Sequence, residues 1–129
     1  MRSDARENAF KLIFEGLFHE ADEELSKENL KPLKKQEDIE FFETIVSKFA
    51  ENQSVMQQKI EAHLKNFEYD RVFKVDLALI YLALTEILYC KTPKAVAINE
   101  ALELSKTYST EKSSKFINGI VCAIINDNE

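Results

Sequence analysis

Apolar residues recur along this chain at spacings of three and four, and no run alternates as a half-buried strand would, so the pattern predicts helices throughout. A first helix is expected over residues 3–19. Wound at about 100° per residue, it carries two apolar arcs. One holds Ala5, Ala9, Leu12, Ile13, Gly16 and Leu17, with small residues at its centre as close approach of another helix requires. The other holds Phe10, Phe14 and Phe18, spaced by four. That aromatic stripe is either buried like the first or partly exposed, in which case it receives a partner protein. The polar stretch 21–37, with Pro32 inside it, reads as a connection. IEFFETIVSKFA, residues 39–50, then predicts a second helix. Ser54, with Gln57 three residues on, reads as the capping box of a third. The third helix aligns Met56, Ile60, Leu64 and Phe67, with His63 beside the stripe as a packed side chain.

Residues 73–90 are apolar on nearly every side, which predicts a fourth helix at the buried centre. Its polar exceptions, Asp76, Thr85 and Glu86, therefore need partners or a route to solvent. Thr92 and Pro93 supply a turn and a helix entry. A fifth helix places Ile98, Ala101, Leu102 and Ser105 on one face. A sixth, from Lys112 to the end, turns Phe116, Ile120, Ala123 and Ile124 inward. Gly119 sits at the rim of that stripe. Glycine inside a helix costs about 1 kcal/mol relative to alanine, so its place is expected to mark close approach of another backbone. The expected architecture is all-α, a compact bundle of six to seven helices forming one domain over residues 1–129.

Composition narrows the function. With 129 residues, 45% hydrophobic and 31% charged, the chain is long enough to bury a core without disulfides or metal. The longest apolar run, LALIYLAL at 77–84, is too short to span a membrane, and the first residues, MRSDAREN, contain no secretory apolar segment. Cys90 and Cys122 stand apart without metal-ligand spacing, as expected of reduced thiols in a cytoplasmic protein. No phosphate-binding glycine loop, metal motif or nucleophile–base motif is present, so no catalytic residue, metal or cofactor is expected. Of the net charge of −6, −5 resides in residues 15–28. Short positive regions lie at Arg2, Arg6 and Lys11 and at Lys106, Lys112 and Lys115, so the acidic balance leaves room for a local basic site.

The stretch VAINEALELSKTYSTEKSSKFINGIVCAI, residues 96–124, closely resembles the signature of the bacterial NusB antitermination family. VDLALIYLALTEIL resembles that family's central helix, and residues 5–15 its first helix. The resemblance implies the NusB type of helical bundle. It further implies pairing with ribosomal protein S10 (NusE), binding of the single-stranded boxA element of nascent ribosomal RNA, and carriage of the complex by RNA polymerase to suppress termination. By position it places RNA contacts at Arg2, Arg6, Lys112, Ser113, Ser114, Lys115, Phe116 and Asn118, and NusE contacts at Phe10, Phe14, Phe18, Asp70 and Asp76. Two departures stand out. Ser3 and Asp4 interrupt the basic run expected at the N-terminus, and phenylalanine occupies position 14 where tyrosine is usual. The thinned basic cluster admits an alternative, a protein-interaction module of the same fold with weak or lost RNA binding.

Overall fold

A computed structural model describes residues 2–17, 30–65 and 68–127. Phe18 and Phe67 lie outside them, as does most of the expected connection. Within the described residues the chain forms α1 (Arg2–Gly16), α2 (Gln36–Ala62), a 3-10 turn (Tyr69–Arg71), α3 (Lys74–Tyr89), α4 (Lys94–Tyr108) and α5 (Glu111–Asp127), with no strand.

The core is organised by α3. Every residue from Asp76 to Glu86 is buried, and α1, α2, α4 and α5 all pack against this helix. Its sequence of Leu, Ile and Ala has good helix propensity and no breaker. The helix ends where the Glu86 carbonyl accepts from the amides of both Cys90 and Thr92. Lys91 between them takes φ of 59°, a left-handed conformation that turns the chain back, and Pro93 caps the start of α4.

Each polar exception on α3 has found a partner. Arg6 of α1 donates through Nε to both Glu86 carboxylate oxygens, at 2.9 and 3.0 Å, and the Thr92 hydroxyl adds a bond of 3.1 Å. Thr85 donates to the Tyr81 carbonyl at 2.7 Å, and Asp76 holds the start of α5. The Tyr81 ring meets Phe49 of α2 edge-on at 5.1 Å, while its hydroxyl lies 2.6 Å from that of Tyr69. Burial raises the Tyr81 pKa well beyond the ordinary tyrosine range, so this hydroxyl stays neutral. On the outer side, Asn8 pins the returning chain by a reciprocal pair of 2.8 Å bonds with the Lys31 backbone.

Three expectations are corrected. First, residues 36–62 form one helix rather than two, so the described residues hold five α-helices. Asp38, Phe41, Ile45, Phe49, Met56 and Ile60 maintain one buried stripe without a break. Exposed Ser54 lies in mid-helix, and Gln57 reaches forward to Glu61 at 3.0 Å instead of back to a cap. Second, α5 buries Ser113, Ile117, Val121, Ile124 and Ile125, while Phe116, Ile120 and Ala123 are half-buried on its flank. The bond from Ser113 to buried Asp76 fixes that rotation. Third, close packing does not explain the glycines. Ala5 and Ala9 are fully buried, but a Cβ at Gly16 or Gly119 would meet no atom of the described residues within 4 Å.

His63 closes the bundle at the far end of α2. Its Nδ1 lies 2.7 Å from the Lys59 carbonyl and its Nε2 2.5 Å from the Asp127 carboxylate, so the doubly protonated ring satisfies both acceptors. The Lys59 carbonyl first, and then Asp127, raise its pKa above the ordinary 6.5. A raised folded pKa contributes stability that is complete below the unfolded value and is lost as pH rises through the folded value. Thermal melts of wild type and His63→Gln are therefore expected to differ most below about pH 6.5 and to converge toward pH 8. A difference that grows with pH would contradict the contact.

Candidate functional site

The start of α5 is held in place by a buried carboxylate. Asp76, in the first turn of α3, accepts hydrogen bonds from the hydroxyls of Ser109 at 2.6 Å and Ser113 at 3.0 Å. Thr110 Oγ1 lies 3.1 Å from Ser113 Oγ, and Ser114 is tied to Ser105 of α4 at 2.9 Å. These bonds use hydroxyls at the helix entry, where free backbone amides otherwise compete for partners. They also fix the rotation of α5, so that Lys112 and Phe116 stand along one edge of a surface groove of about 330 Å³. The opposite edge is formed by Arg71 of the 3-10 turn and Phe73 at the entry to α3. Phe73 is 57% exposed, while Phe116 is half-buried. Two aromatic rings and two cations thus share a depression that buried Asp76, Thr110 and Ser113 also line. Stacking of unpaired bases on rings, with cations on the phosphates, is the chemistry that such a set supports.

The expected RNA residues divide into two groups. Lys112, Lys115 and Asn118 are exposed on α5, with Ser114 and Phe116 half-buried among them. Arg2 is exposed at the head of α1, its guanidinium carbon 4.7 Å from the Phe41 ring centroid. Arg6 does not belong to this surface, and Ser113 lines the groove only as a buried residue. Arg6 is 5% exposed and spends its guanidinium on Glu86, with Glu100 at 3.9 Å. Ser113 is buried against Asp76. Both are corrected to structural roles, for the same reason: a buried carboxylate on α3 claims each of them.

The expected partner face is likewise reduced. Phe10 is 2% exposed, with Tyr108 at 5.0 Å and Phe14 at 6.1 Å between ring centroids, so it is a core residue. Asp76 is buried and its carboxylate accepts from Ser109 and Ser113. Phe14 is half-buried on the flank of α1, and Asp70 is exposed in the 3-10 turn. Phe18 lies outside the described residues.

Arg71 and Phe73 were not anticipated. Phe73 precedes Leu77 by four residues and therefore reads as the first apolar position of a buried helix. In the structure its backbone is extended, with φ −58° and ψ 127°, and the helix begins one residue later. The lysine after it and its place ahead of the buried run are the signals that separate it from the core.

The NusB family model matches residues 3–126 of the chain. Transcription antitermination protein NusB from Finegoldia magna is 40% identical over 131 residues, covering 99% of this chain and 96% of that protein. Among solved structures, NusB from T. maritima superposes with a TM-score of 0.85 at 32% identity, covering 96% of this chain and 89% of the other. A crystal structure of antitermination factors NusB and NusE in complex with double-stranded RNA also gives 0.85, at 26% identity, with coverage of 98% and 96%.

The reassignment of Arg6 has a direct test. Truncating one partner of a buried ion pair leaves the other as an uncompensated charge, a loss of about 3–5 kcal/mol. Arg6→Ala is expected to lose that much in urea unfolding, and the double variant Arg6→Met, Glu86→Leu to recover most of it. A change below about 0.5 kcal/mol, the range of ordinary surface substitutions, would return Arg6 to the surface.

Proposed function

The chain belongs to the NusB family of transcription antitermination factors, which are not enzymes, and we propose that it binds boxA RNA together with ribosomal protein S10 (NusE). In this reading the heterodimer holds single-stranded boxA in a nascent ribosomal RNA transcript, and RNA polymerase carries the complex past terminators. The observation that carries the proposal is the groove between the entries to α3 and α5. It sets Phe73 and Phe116 beside Arg71 and Lys112, the combination that takes unstacked bases and their phosphates. Lys115, Ser114 and Asn118 extend the polar edge along α5, and Arg2 contributes from α1. The relative solved with NusE and double-stranded RNA supports the coarser reading, NusE and RNA as partners. Phe14 and Asp70 are the described residues proposed to meet NusE.

One observation favours a second reading. With Arg6 committed to Glu86, Arg2 is left as the arginine of the N-terminal cluster that faces solvent. Each phosphate contact contributes about 0.7 to the logarithmic salt slope for single strands, so the loss weakens the electrostatic hold. A protein that bound NusE but little RNA would fit that arrangement.

Titration of boxA RNA in the presence and absence of NusE separates the two. Phe73→Ala is expected to weaken the ternary complex about tenfold or more, since stacking of one base is worth roughly 1–3 kcal/mol. Arg71→Ala with Lys112→Ala is expected to flatten its salt dependence. If all three leave binding unchanged, the groove is not the site; if wild type with NusE binds no boxA at all, the interaction-module reading stands instead. For the partner face, Phe14→Asp is expected to abolish copurification with NusE while the helical circular dichroism signal persists. Retained NusE would refute that assignment.

A further inference from the structure

A second groove lies on the other side of Phe116. It has a volume of about 330 Å³ and runs between the residues that follow α2 and the outer flank of α5. Leu64, Ile120 and Ala123 give it an apolar lining, and exposed Lys65 and Lys115 stand at its edges. Gly119 lies in the wall between Phe116 and Ile120. It is exposed and sits in mid-helix, where glycine is less favourable than alanine by about 1 kcal/mol, yet no described atom comes within 4 Å of the Cβ position. Among the described residues, then, no packing contact accounts for the glycine. A bare backbone at this point lets something outside the fold lie flat against α5.

Resting on the RNA reading above, we propose that this groove receives a further nucleotide of the same single strand, its base lying over Gly119 between Leu64 and Ile120. Two observations select nucleic acid as the occupant. Phe116 lines both grooves, so a strand stacked beside Phe73 reaches the second groove by passing one side chain. The charges lining the groove suit phosphate: Lys65 and Lys115 are present, no carboxylate is among the lining residues, and the nearby Asp127 carboxylate is engaged by His63. A flat apolar floor flanked by two ammonium groups is a stacking surface with phosphate contacts on either side. Lys65 and Lys115 line the second groove and not the first.

The test uses the full chain with NusE and three RNAs: boxA itself, and boxA extended by a few adenosines at the 5′ or at the 3′ end. Wild type is expected to bind one of the extended RNAs about tenfold more tightly than the unextended one, the gain of one added stack. Gly119→Leu places a side chain in the groove from a Cβ position that is clear of the described neighbours, and it is expected to remove most of that gain while leaving affinity for unextended boxA and the melting temperature unchanged. Lys65→Ala is expected to do the same and to lower the salt slope on the extended RNA by about 0.7. The proposal is overturned if neither extension tightens binding, if both variants keep the gain, or if Gly119→Leu lowers the melting temperature markedly, which would assign the glycine to packing. Failure of wild type to bind even unextended boxA would overturn the RNA reading and this groove together, whereas loss of the extension effect alone leaves the first groove intact.

Discussion

A helix buried on every side can carry a carboxyl group only if another element comes to meet it, and α3 carries two, Asp76 and Glu86. Desolvation drives the arrangement. An ionised carboxylate left unpaired in the core costs several kcal/mol, whereas one bonded at both oxygens to a guanidinium is tolerated. Burial pushes the Glu86 carboxyl up, and Arg6 and then Thr92 oppose that shift. The same carboxylate thereby positions α1, through Arg6, and the turn into α4, through Thr92. Apolar contacts alone would hold these helices together, but they specify rotation and height weakly; a bond between named atoms removes that freedom.

Asp76 does the equivalent at the other end of α3. It collects Ser109 and Ser113, so the turn between α4 and α5 and the entry of α5 are fixed relative to the central helix. The functional consequence is indirect. Lys112 and Phe116 are adjacent in sequence to residues held by Asp76, and Phe73 and Arg71 lead into the helix that bears it. Glu86 lies away from the proposed RNA groove, and Asp76 lines it as a buried residue tied to the serines. Together they set the separation and orientation of its two edges, which explains why two residues expected on the surface, Arg6 and Ser113, turn inward.

Much of this was legible in the pattern of residues, because burial of an entire helix leaves a plain mark: a run such as LALIYLALTE reads as central, and its polar members read as groups in need of partners. The identity of those partners was not legible. Arg6 and Glu86 are 80 residues apart, and an arginine near the N-terminus has the same sequence appearance whether it faces phosphate or a buried acid. The break expected near Ser54 came from a local capping pattern that a continuous buried stripe overrides, since tertiary packing outweighs a cap worth about 1 kcal/mol. The inner face of α5 was misread by about one residue because its apolar positions form a broad arc. Only the bond to Asp76 selects Ser113 and Ile117 over Phe116 as the centre of that arc.

The charge of the molecule then takes on a different meaning. Near the N-terminus, basic side chains are matched by acidic ones: Arg6 meets Glu86, and Lys31 meets Glu7 at 2.9 Å and Asp4 at 3.7 Å. The cations beside exposed or half-exposed aromatic rings are instead Arg71, Lys112 and Lys115. On the proposed reading few phosphates are contacted, so affinity for arbitrary RNA is low and falls only gently with salt. Stacking must then supply a larger share of the binding energy. It does so only where bases are unpaired and free to leave the strand. In that proposal an acidic protein with few phosphate contacts would favour single-stranded elements over duplex and would depend on a protein partner to raise the local concentration that its own charge does not provide.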